Sequence, residues 1–433
     1  MKDSVCFHDK KAAYYTLGCK LNYAETSAIR ECFLQVGIKT VQGEENPDIV
    51  IISTCSVTEE ANKKCRNLIR RVRRKYSSAF LVVTGCYAQL CSEEIIKIEG
   101  IDLVVGLEGK RNLSKYVLRG ERGIIVSPMM ESQEFTPACS YDGRTRSFLK
   151  IQDGCDYTCS YCTIPLARGK SRNRKISDLV RNSMQLGAKG VKEIVLTGVN
   201  IGDFGKSTGE NFLDLLRDLD KVENISRFRI SSIEPNLLSD EIIEFVAFSD
   251  RFVPHFHIPL QSGSDAVLRL MNRKYDVVLL RSKIEKIKTL MTDAFIGFDI
   301  IVGMRGETDE YFRESQKFLE SLPFSQLHVF TYSERPATMA LNINQMITLK
   351  KRQERRKELL ALSKRKCKDF YCSQIGTNHS VLFENSRRGN KIYGFTENYI
   401  KVEMEYDEKF INQLLGVTLG GWNENAMALT LKL

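Results

Sequence analysis

The first third of the chain alternates short apolar runs with stretches that repeat apolar residues at helical spacing. The runs AYYTLGC, DIVIISTC and FLVVTGC predict β-strands, and each is followed by a helix-like stretch. Strand–helix alternation of this kind is typical of a parallel, doubly wound sheet. We therefore predict an α/β domain over residues 1–126, followed by a polar linker over residues 127–146.

The alternation resumes after the linker. The runs FLKIQDG, EIVLTG, RFRISSI, HFHIPL, AFIGFDIIVG and QLHVFTY predict strands, with helical patterns such as ISDLVRNSMQLGA and NFLDLLRDLD between them. Strand–helix units in this number indicate a partial or full parallel barrel, whose active site is expected at the carboxyl ends of the strands. We assign this barrel, with the basic helix that follows it, to residues 147–374.

The pattern changes again in the tail of the chain. HSVLFEN, KIYGFTENYIKVEME and GVTLGGW are short strand-like runs separated by turn residues. They predict a small antiparallel barrel over residues 375–433, of the kind that binds oligonucleotides.

Charge and composition refine this picture. The chain has 433 residues and a formal net charge of +10, and its basic residues cluster in two predicted helices, KKCRNLIRRVRRK and LKKRQERRKELLALSKRKCK. Each helix either contacts RNA or presents a solvated basic face. The N-terminus lacks the apolar core of a signal peptide, and no apolar run approaches the roughly 20 residues of a membrane span. We therefore expect a cytoplasmic protein that does not associate with membranes.

Thirteen cysteines in a reducing compartment are more often metal ligands, catalytic groups or core residues than disulfides. Cys19, Cys55 and Cys86, the strand-end set, each end one of the predicted N-terminal strands. Because the carboxyl ends of parallel strands share one edge of a sheet, these cysteines should converge in space. The alternative is three buried cysteines that act as small hydrophobic residues.

A second group of cysteines lies in the motif GCDYTCSYC. Cys155, Cys159 and Cys162, the loop set, follow the first barrel strand directly. A 4Fe–4S cluster usually has four thiolate ligands, so three would leave one iron open. A zinc site would need a fourth ligand, and His255 and His257 are about a hundred residues away. The other cysteines are expected to be core or incidental residues: Cys6, Cys32, Cys65, Cys91, Cys139, Cys367 and Cys372.

The sequence around the loop set, FLKIQDGCDYTCSYCTIPLARGKSR, resembles the methylthiotransferase family of radical S-adenosylmethionine enzymes. Similar stretches follow in order: LTGVNIGDFG, ISSIEP, HIPLQSGSDAVLRLMNRKY and GFDIIVGMRGET. The resemblance covers nearly the whole chain. It implies an N-terminal cluster domain, a radical S-adenosylmethionine barrel and a C-terminal RNA-binding barrel called TRAM.

The resemblance also implies cofactors. The loop set would hold a 4Fe–4S cluster that binds S-adenosylmethionine. The strand-end set would hold a second 4Fe–4S cluster, which carries the sulfur to be inserted. S-adenosylmethionine would serve both as methyl donor and as radical source, so the protein's task is placement and tuning of the cofactors.

Polar residues at the strand ends are candidates for the cofactor or substrate cavity. Asn200 ends the second barrel strand, where family members contact the methionine moiety, although an ordinary turn would give the same pattern. The others follow the third and fourth strands: Ser232, Glu234, Gln261 and Ser262. Arg273 is expected either to contact a phosphate or to form a surface ion pair.

Two motifs indicate a branch of the family. TLGCKLN and SVTEEANKKCR resemble the branch that modifies threonylcarbamoyl-adenosine, whereas the isopentenyl-adenosine branch typically has glutamine and methionine in place of Lys20 and Leu21. We therefore expect methylthio insertion at carbon 2 of N6-threonylcarbamoyladenosine at position 37, in the anticodon loop of tRNA. An external one-electron donor and a sulfur source would be further partners.

Three alternatives stay open from the sequence. The same chemistry would also suit isopentenyl-adenosine in tRNA or an aspartate of a ribosomal protein. A protein of another class, a non-catalytic RNA-binding protein with structural zinc, would likewise be basic and rich in cysteine.

Overall fold

The N-terminal strands form one parallel sheet. The computed structural model describes residues 10–41, 45–129, 132, 134–141 and 145–432; within them the strands are β1 (Lys11–Thr16), β2 (Lys39–Thr40), β3 (Ile49–Thr54), β4 (Phe80–Gly85), β5 (Leu103–Val105) and β6 (Gly123–Ile125). Their order is β2-β1-β3-β4-β5-β6, and all neighbours are parallel. The doubly wound sheet is thereby confirmed, although the short strands β2, β5 and β6 were not predicted.

Helices cover both faces of this sheet. They are α1 (Lys20–Gln35), α2 (Glu59–Lys75), α3 (Cys86–Leu90), α4 (Ser92–Ile95) and α5 (Leu113–Leu118). Val50 and Ile52 of β3 share a core with the apolar face of α2, while Ile49 and Ile51 share one with α1. A strand buried on both faces has a continuous apolar sequence, as IVIIST does. Cys6 and part of the predicted linker lie outside the described residues.

Two parallel three-stranded sheets form an open central barrel. In the described residues its strands are β7 (Arg146–Lys150), β8 (Gln152–Asp153), β9 (Arg172–Asn173), β10 (Glu193–Thr197), β11 (Arg227–Ile230), β12 (His255–Gln261), β13 (Phe295–Val302) and β14 (Gln326–Thr331). The sheets β11-β10-β7 and β12-β13-β14 are joined by a parallel bridge from Ser232 to His257. The predicted barrel is therefore present in its partial form, while β8 and β9 pair separately.

The two faces of the barrel strands differ in chemistry. The outer face contributes Leu149, Leu196 and Ile230 to the core beneath the surrounding helices. The alternating residues, such as Lys150 and Arg229, face the interior and are buried although charged. The helices of this region are α6 (Ile164–Arg168), α7 (Ile176–Ala188), α8 (Phe212–Asp220), α9 (Asp240–Phe248), α10 (Asp265–Leu270), α11 (Val277–Leu290), α12 (Asp309–Ser321) and α13 (Leu349–Cys372).

Helix α1 joins the N-terminal sheet to the inside of the barrel. Its residue Ala24 packs with Phe148 of β7 and Val195 of β10, and Tyr23 and Ala28 extend the contact. The strand-end loops of the N-terminal domain therefore lie at the mouth of the barrel.

The basic helix α13 was expected either to contact RNA or to present a solvated basic face, and part of it does neither. It packs along β14, and Arg352 and Arg355 are buried against the barrel. Arg355 donates to Glu307 Oε2 at 2.5 Å and to Asp309 Oδ1 at 2.9 Å, while Arg352 donates to the carbonyl of Tyr332 at 2.9 Å. These two arginines neither contact RNA nor form a solvated face, because protein groups take up their charge.

The tail forms the predicted small closed barrel. Its strands are β15 (Asn378–Arg388), β16 (Lys391–Thr396), β17 (Lys401–Glu405), β18 (Leu414–Asn423) and β19 (Ala428–Leu431), in the order β15-β16-β17-β19-β18. The neighbours are antiparallel as predicted, except that β17 and β19 pair in parallel. Arg229 of the central barrel donates to the carbonyl of Glu397 at 2.9 Å, and the Tyr399 ring lies 4.8 Å from that of His255. The tail barrel thus closes the end of the central barrel where the strands begin. None of the helices in the described ranges is long and apolar enough to cross a membrane.

Candidate functional site

The strand-end set lies at one edge of the N-terminal sheet. Cys19 is the N-cap of α1, Cys55 follows β3 directly, and Cys86 is the first residue of α3 after β4. Because β1, β3 and β4 are neighbours, the three loops meet. A Cβ atom on Gly18 (φ 107°) would lie 2.7 Å from the Cβ of Cys55, so glycine is needed for the first loop to approach the second.

The thiols of this set influence one another. Burial, together with the neighbouring thiols of Cys86 and Cys19, raises the pKa of Cys55 to about 12. Burial by surrounding protein also raises the pKa of Cys19, although this residue stays accessible to solvent. Such thiols ionise only when a cation compensates the thiolate charge, which bound iron would do.

The loop set occupies the segment between β8 and α6. Backbone N–H groups donate to two of its sulfurs, from Tyr157 to Cys155 Sγ and from Ile164 to Cys162 Sγ, each at 3.4 Å. Burial, together with the other thiols of the set, raises the pKa of both thiols to about 12. Hydrogen-bonded sulfurs with this need for a cation are well suited to iron ligation.

A buried arginine connects the two sets. Arg168, the last residue of α6, donates through Nε to Cys86 Sγ at 3.3 Å. The carbonyl of the next residue, Gly169, accepts from the N–H of Cys155 at 3.0 Å. One short segment therefore contacts a cysteine of each set and fixes their relative position.

Arg168 belongs to a buried ionic cluster. Its Nη1 donates to Glu25 and Asp153, each at 2.9 Å. Among the described residues, three further cations contact the same carboxylates at 2.6–3.2 Å: Lys110, Lys150 and Arg172. Burial alone would raise the pKa of Glu25, yet Arg168 and the two lysines hold it well below its usual value. Cations outnumber carboxylates in this cluster, so the field beside Cys86 favours a negatively charged ligand.

The loop set has an arginine of its own. Arg273 has a side chain only 2% exposed, donates to Cys159 Sγ at 3.1 Å and to the Tyr275 hydroxyl at 3.1 Å, and forms an ion pair with Glu234. Burial raises the pKa of Glu234 in spite of this pairing. The expected surface ion pair is therefore wrong, and the donors that a phosphate would need are engaged by protein groups.

Asn200 and Gln261 retain free polar atoms. The Nδ2 of Asn200 donates to Asp203 at 2.9 Å, while its buried Oδ1 has no partner among the described residues. Gln261 has a left-handed backbone (φ 64°) at an irregularity in the pairing of β12 with β13, and it lines a cavity. Gln261 is therefore able to meet a ligand in this cavity, whereas the unpaired oxygen of Asn200 is buried.

Ser232 and Ser262 are engaged in the loops themselves. Ser232 forms the backbone bridge to His257 that links the two halves of the barrel. The buried Ser262 hydroxyl accepts from the N–H of Ser264 at 3.2 Å. Both residues shape the rim of the barrel.

Two openings lie beside the loop that follows Cys55. A cavity of about 190 Å³ lies between the loop after Cys55 and the barrel, with Thr58, Tyr161 and Asp299 in its walls. A groove of about 580 Å³ runs past Cys55 between Lys64 of α2 and Arg356 of α13. The two basic helices therefore meet at one opening.

Known proteins resemble this chain over most of its length. Residues 11–106 match the uncharacterized protein family UPF0004, and residues 149–319 match the radical SAM superfamily. The threonylcarbamoyladenosine tRNA methylthiotransferase MtaB of Bacillus subtilis is 39% identical, over 94% of this chain and 93% of that protein. The Aquifex aeolicus protein of the same name is 34% identical, over 91% and 97%. The chain belongs to the radical S-adenosylmethionine methylthiotransferase family.

A relative named for another modified adenosine and a solved structure of low sequence identity are also similar to this methylthiotransferase. The tRNA-2-methylthio-N(6)-dimethylallyladenosine synthase of Geobacter sulfurreducens is 32% identical, over 95% of each chain. The solved structure of the radical S-adenosylmethionine methyltransferase TsrM from Kitasatospora setae, with cobalamin and a [4Fe–4S] cluster bound, has a TM-score of 0.57 at 14% identity, over 77% of this chain and 78% of that one. That likeness shows a shared fold.

Membership of this family implies S-adenosylmethionine and a 4Fe–4S cluster, and the residues fit them. Among the described residues, no three His, Cys, Asp or Glu side chains are grouped to hold a single metal ion. Thiolates of a cluster bind separate irons and need not surround one point. Two sets of three thiols, each with an N–H donor from a buried arginine, match this requirement.

Sequence reasoning missed the groups that support these sets. Glu25 and Arg168 carry no spacing signal, because their partners come from distant segments. Arg168 does lie in the stretch that resembles the family, which could have directed attention to it. Lys20 was noted only as a mark of the branch, and its surroundings depend on how α1 packs on the barrel.

Proposed function

We propose that this methylthiotransferase inserts a methylthio group at carbon 2 of N6-threonylcarbamoyladenosine at position 37 of tRNA. The loop set would hold the 4Fe–4S cluster that binds S-adenosylmethionine, and the strand-end set would hold a second. The observation that carries the proposal is the contact of the Arg168–Gly169 segment with a cysteine of each set. Radical formation and sulfur delivery would then occur side by side.

Similarity supports the choice of substrate. The relatives from Bacillus subtilis, Aquifex aeolicus and Thermotoga maritima, at 34–39% identity, are named for threonylcarbamoyladenosine in tRNA. The groove between Lys64 and Arg356 offers positive charge for an RNA backbone, and the tail barrel resembles modules that bind RNA. A tRNA substrate would place the enzyme in the cytoplasm.

The chain's own residues would position and shield the reactants. When bound, the cofactors supply the radical that removes hydrogen from the substrate carbon, the sulfur that replaces it and the methyl group. Arg168 and Arg273 donate hydrogen bonds to cysteine sulfurs and so would stabilise the thiolate form. The free Oδ1 of Asn200 would accept from the amino group of S-adenosylmethionine, and Gln261 would contact a ligand in the cavity.

Nucleoside mass spectrometry tests this proposal. In tRNA from cells that lack the protein, we expect 2-methylthio-threonylcarbamoyladenosine to disappear and threonylcarbamoyladenosine to accumulate. Loss of the methylthio derivative of isopentenyladenosine instead would assign the enzyme to that branch. Unchanged tRNA with an unmodified ribosomal-protein aspartate would assign it to the third. Purified protein with zinc and no iron would contradict the enzymatic function altogether.

A further inference from the structure

The segment that follows the last barrel strand crosses to the loop of Cys55. Arg335 lies in this connecting segment, residues 332–338, between β14 and α13. Its Nη2 donates to Ser56 Oγ at 2.6 Å, and its Nη1 donates to Glu59 Oε2 at 3.2 Å. Because Ser56 is the chain neighbour of Cys55, Arg335 ties the barrel to one loop of the strand-end set.

A buried amide completes this contact. In the orientation that satisfies both of its neighbours, Asn62 Oδ1 accepts from Arg335 at 3.0 Å, and Asn62 Nδ2 donates to Ser56 Oγ at 3.1 Å. The N–H of Glu59, the first residue of α2, donates to Ser333 Oγ at 2.9 Å. The connecting segment therefore contacts both the loop before α2 and the first turn of that helix.

The connecting segment is itself fixed to the barrel. Arg305, which follows β13, donates to the two carboxylate oxygens of Glu334 at 3.0 and 2.6 Å. The Thr338 hydroxyl donates to the carbonyl of Arg335 at 2.7 Å. The backbone on both sides of Arg335 is thus held by its own domain, so the position of the barrel is passed on to the guanidinium group.

Stability alone does not account for an arginine at this position. The Arg335 side chain is only 5% exposed, and its Nε has no hydrogen-bond partner among the described residues. Burial of a charge whose donors are not all satisfied costs free energy. Its carboxylate partner Glu59 is 56% exposed, so water screens the ion pair. What the planar guanidinium provides is geometry, since it holds Ser56 and Asn62 in one arrangement.

We propose that Arg335 is a positioning residue that holds the Cys55 loop, and with it the sulfur-carrying cluster, in a fixed place relative to the barrel. This inference rests on the proposed function. Arg168 contacts Cys86 from the start of the barrel, whereas Arg335 holds the neighbouring loop from its end. Two attachments at separate loops restrict rotation of the strand-end set about either one. Misplacement of reacting groups by about 1 Å can cost a factor of about 100 in rate.

Hydrogen exchange of the iron-loaded full chain tests this role without turnover. Arg335→Met leaves no buried charge unpaired, because the partners of Arg335 are two neutral side chains and a half-exposed carboxylate. Exchange measured by mass spectrometry should become about 10-fold faster in residues 55–62. It should not change in Cys86–Leu90, which Arg168 contacts. Equal acceleration of both segments would show a general loss of stability and overturn the inference.

The ratio of 5′-deoxyadenosine to methylthio product gives a second measurement. Arg335→Met should still cleave S-adenosylmethionine, but the ratio should rise about 10- to 100-fold, because the sulfur donor is misplaced. Ser56→Ala removes the acceptor next to Cys55 and should also raise the ratio. The double variant should be no worse than the stronger single variant, since both break one contact. Ser56→Ala also tests the role if Arg335→Met does not fold.

Arg66→Met is the matched control. Arg66 also donates to Glu59, at 2.7 Å, but it does so from within the N-terminal domain. Its replacement should leave the product ratio at the wild-type value. Arg335→Lys keeps the charge without the planar fork and should restore only part of the coupling between radical formation and product.

The outcomes separate this inference from the proposed function. If Arg335→Met changes neither the exchange of residues 55–62 nor the product ratio, the role of Arg335 is wrong while the function stands. The same conclusion follows if Arg66→Met raises the ratio equally. If residues 55–62 exchange faster in Arg335→Met but the wild type forms no methylthio product from tRNA, the positioning contact stands and the proposed function fails.

Discussion

The two cysteine sets reach similar arrangements by different routes. The loop set lies within one short segment, so its spacing alone reveals it. The strand-end set is spread over β1, β3 and β4, and only the topology of a parallel sheet brings its members together. A motif search would find the first set and miss the second. Under the proposed function, the two cofactor sites would thus be encoded partly in local spacing and partly in the order of strands.

The sets also differ in their electrostatic surroundings. Cys86 lies beside the ionic cluster in which Arg168 and other cations exceed the two carboxylates, whereas Cys159 is contacted by Arg273, which is paired one to one with Glu234. Hydrogen bonds and net charge near the sulfurs set the potential of an iron–sulfur cluster. The surplus positive charge should make a strand-end cluster easier to reduce than it would be in a neutral setting.

Replacing each set by alanine should have the largest effect. We expect each triple variant to lose about half of the iron. The loop-set variant should no longer cleave S-adenosylmethionine, while the strand-end variant should still form 5′-deoxyadenosine but no methylthio product. Iron analysis and chromatography of the products measure both. Cys372→Ala, at an exposed cysteine, is the control, and loss of all iron in either triple variant would contradict two independent sites.

Replacing the two arginines by methionine should have a smaller and unequal effect on stability. Arg168→Met leaves Glu25 and Asp153 with fewer buried partners, which should cost about 3–5 kcal/mol of unfolding free energy. Arg273→Met should cost less, because Glu234 has a raised pKa and takes up a proton more readily. Urea denaturation measures the difference. The exposed Arg74→Met should change little, and an Arg168 variant equally stable would refute the importance of the ionic cluster.

The smallest effect should be the contribution of Glu234 to the pH dependence of protein stability. Its pKa is raised by burial, so it stabilises the folded state below the pKa of about 4.3 in the unfolded chain, and that contribution is lost as pH rises through its folded pKa. Glu234→Gln does not titrate. The variant should therefore gain stability relative to the wild type between pH 4.5 and pH 8, as measured by urea denaturation. A constant difference over this range would contradict the raised pKa.

Much of the fold could be predicted from the sequence, for physical reasons. Long apolar strands such as β3 are recognisable because burial on both faces leaves no polar position. Strands of two or three residues, such as β2 and β5, are too short to show a periodicity. The closed barrel of the tail could be predicted because turn residues separate its strands in the sequence.

Less of the site could be predicted, because charge does not reveal burial. Arg355 of α13 has the sequence signature of a solvated helix, yet Glu307 neutralises it inside the protein. Arg273 was likewise expected to contact a phosphate or to form an ion pair at the surface, but it is buried beside Cys159. In each case the deciding partner comes from a different segment, and only the packed structure brings the two together.

The contacts of Tyr399 and Arg229 across the two barrels have a consequence for any shortened form of the chain. The tail barrel forms the floor of the chamber in which catalysis would occur, since Tyr399 packs on His255 and backbone carbonyls of the tail accept from Arg229. A gene shortened before residue 375 would therefore not encode an intact catalyst with weaker affinity for RNA. It would encode a chamber open to water at the end where the barrel strands begin.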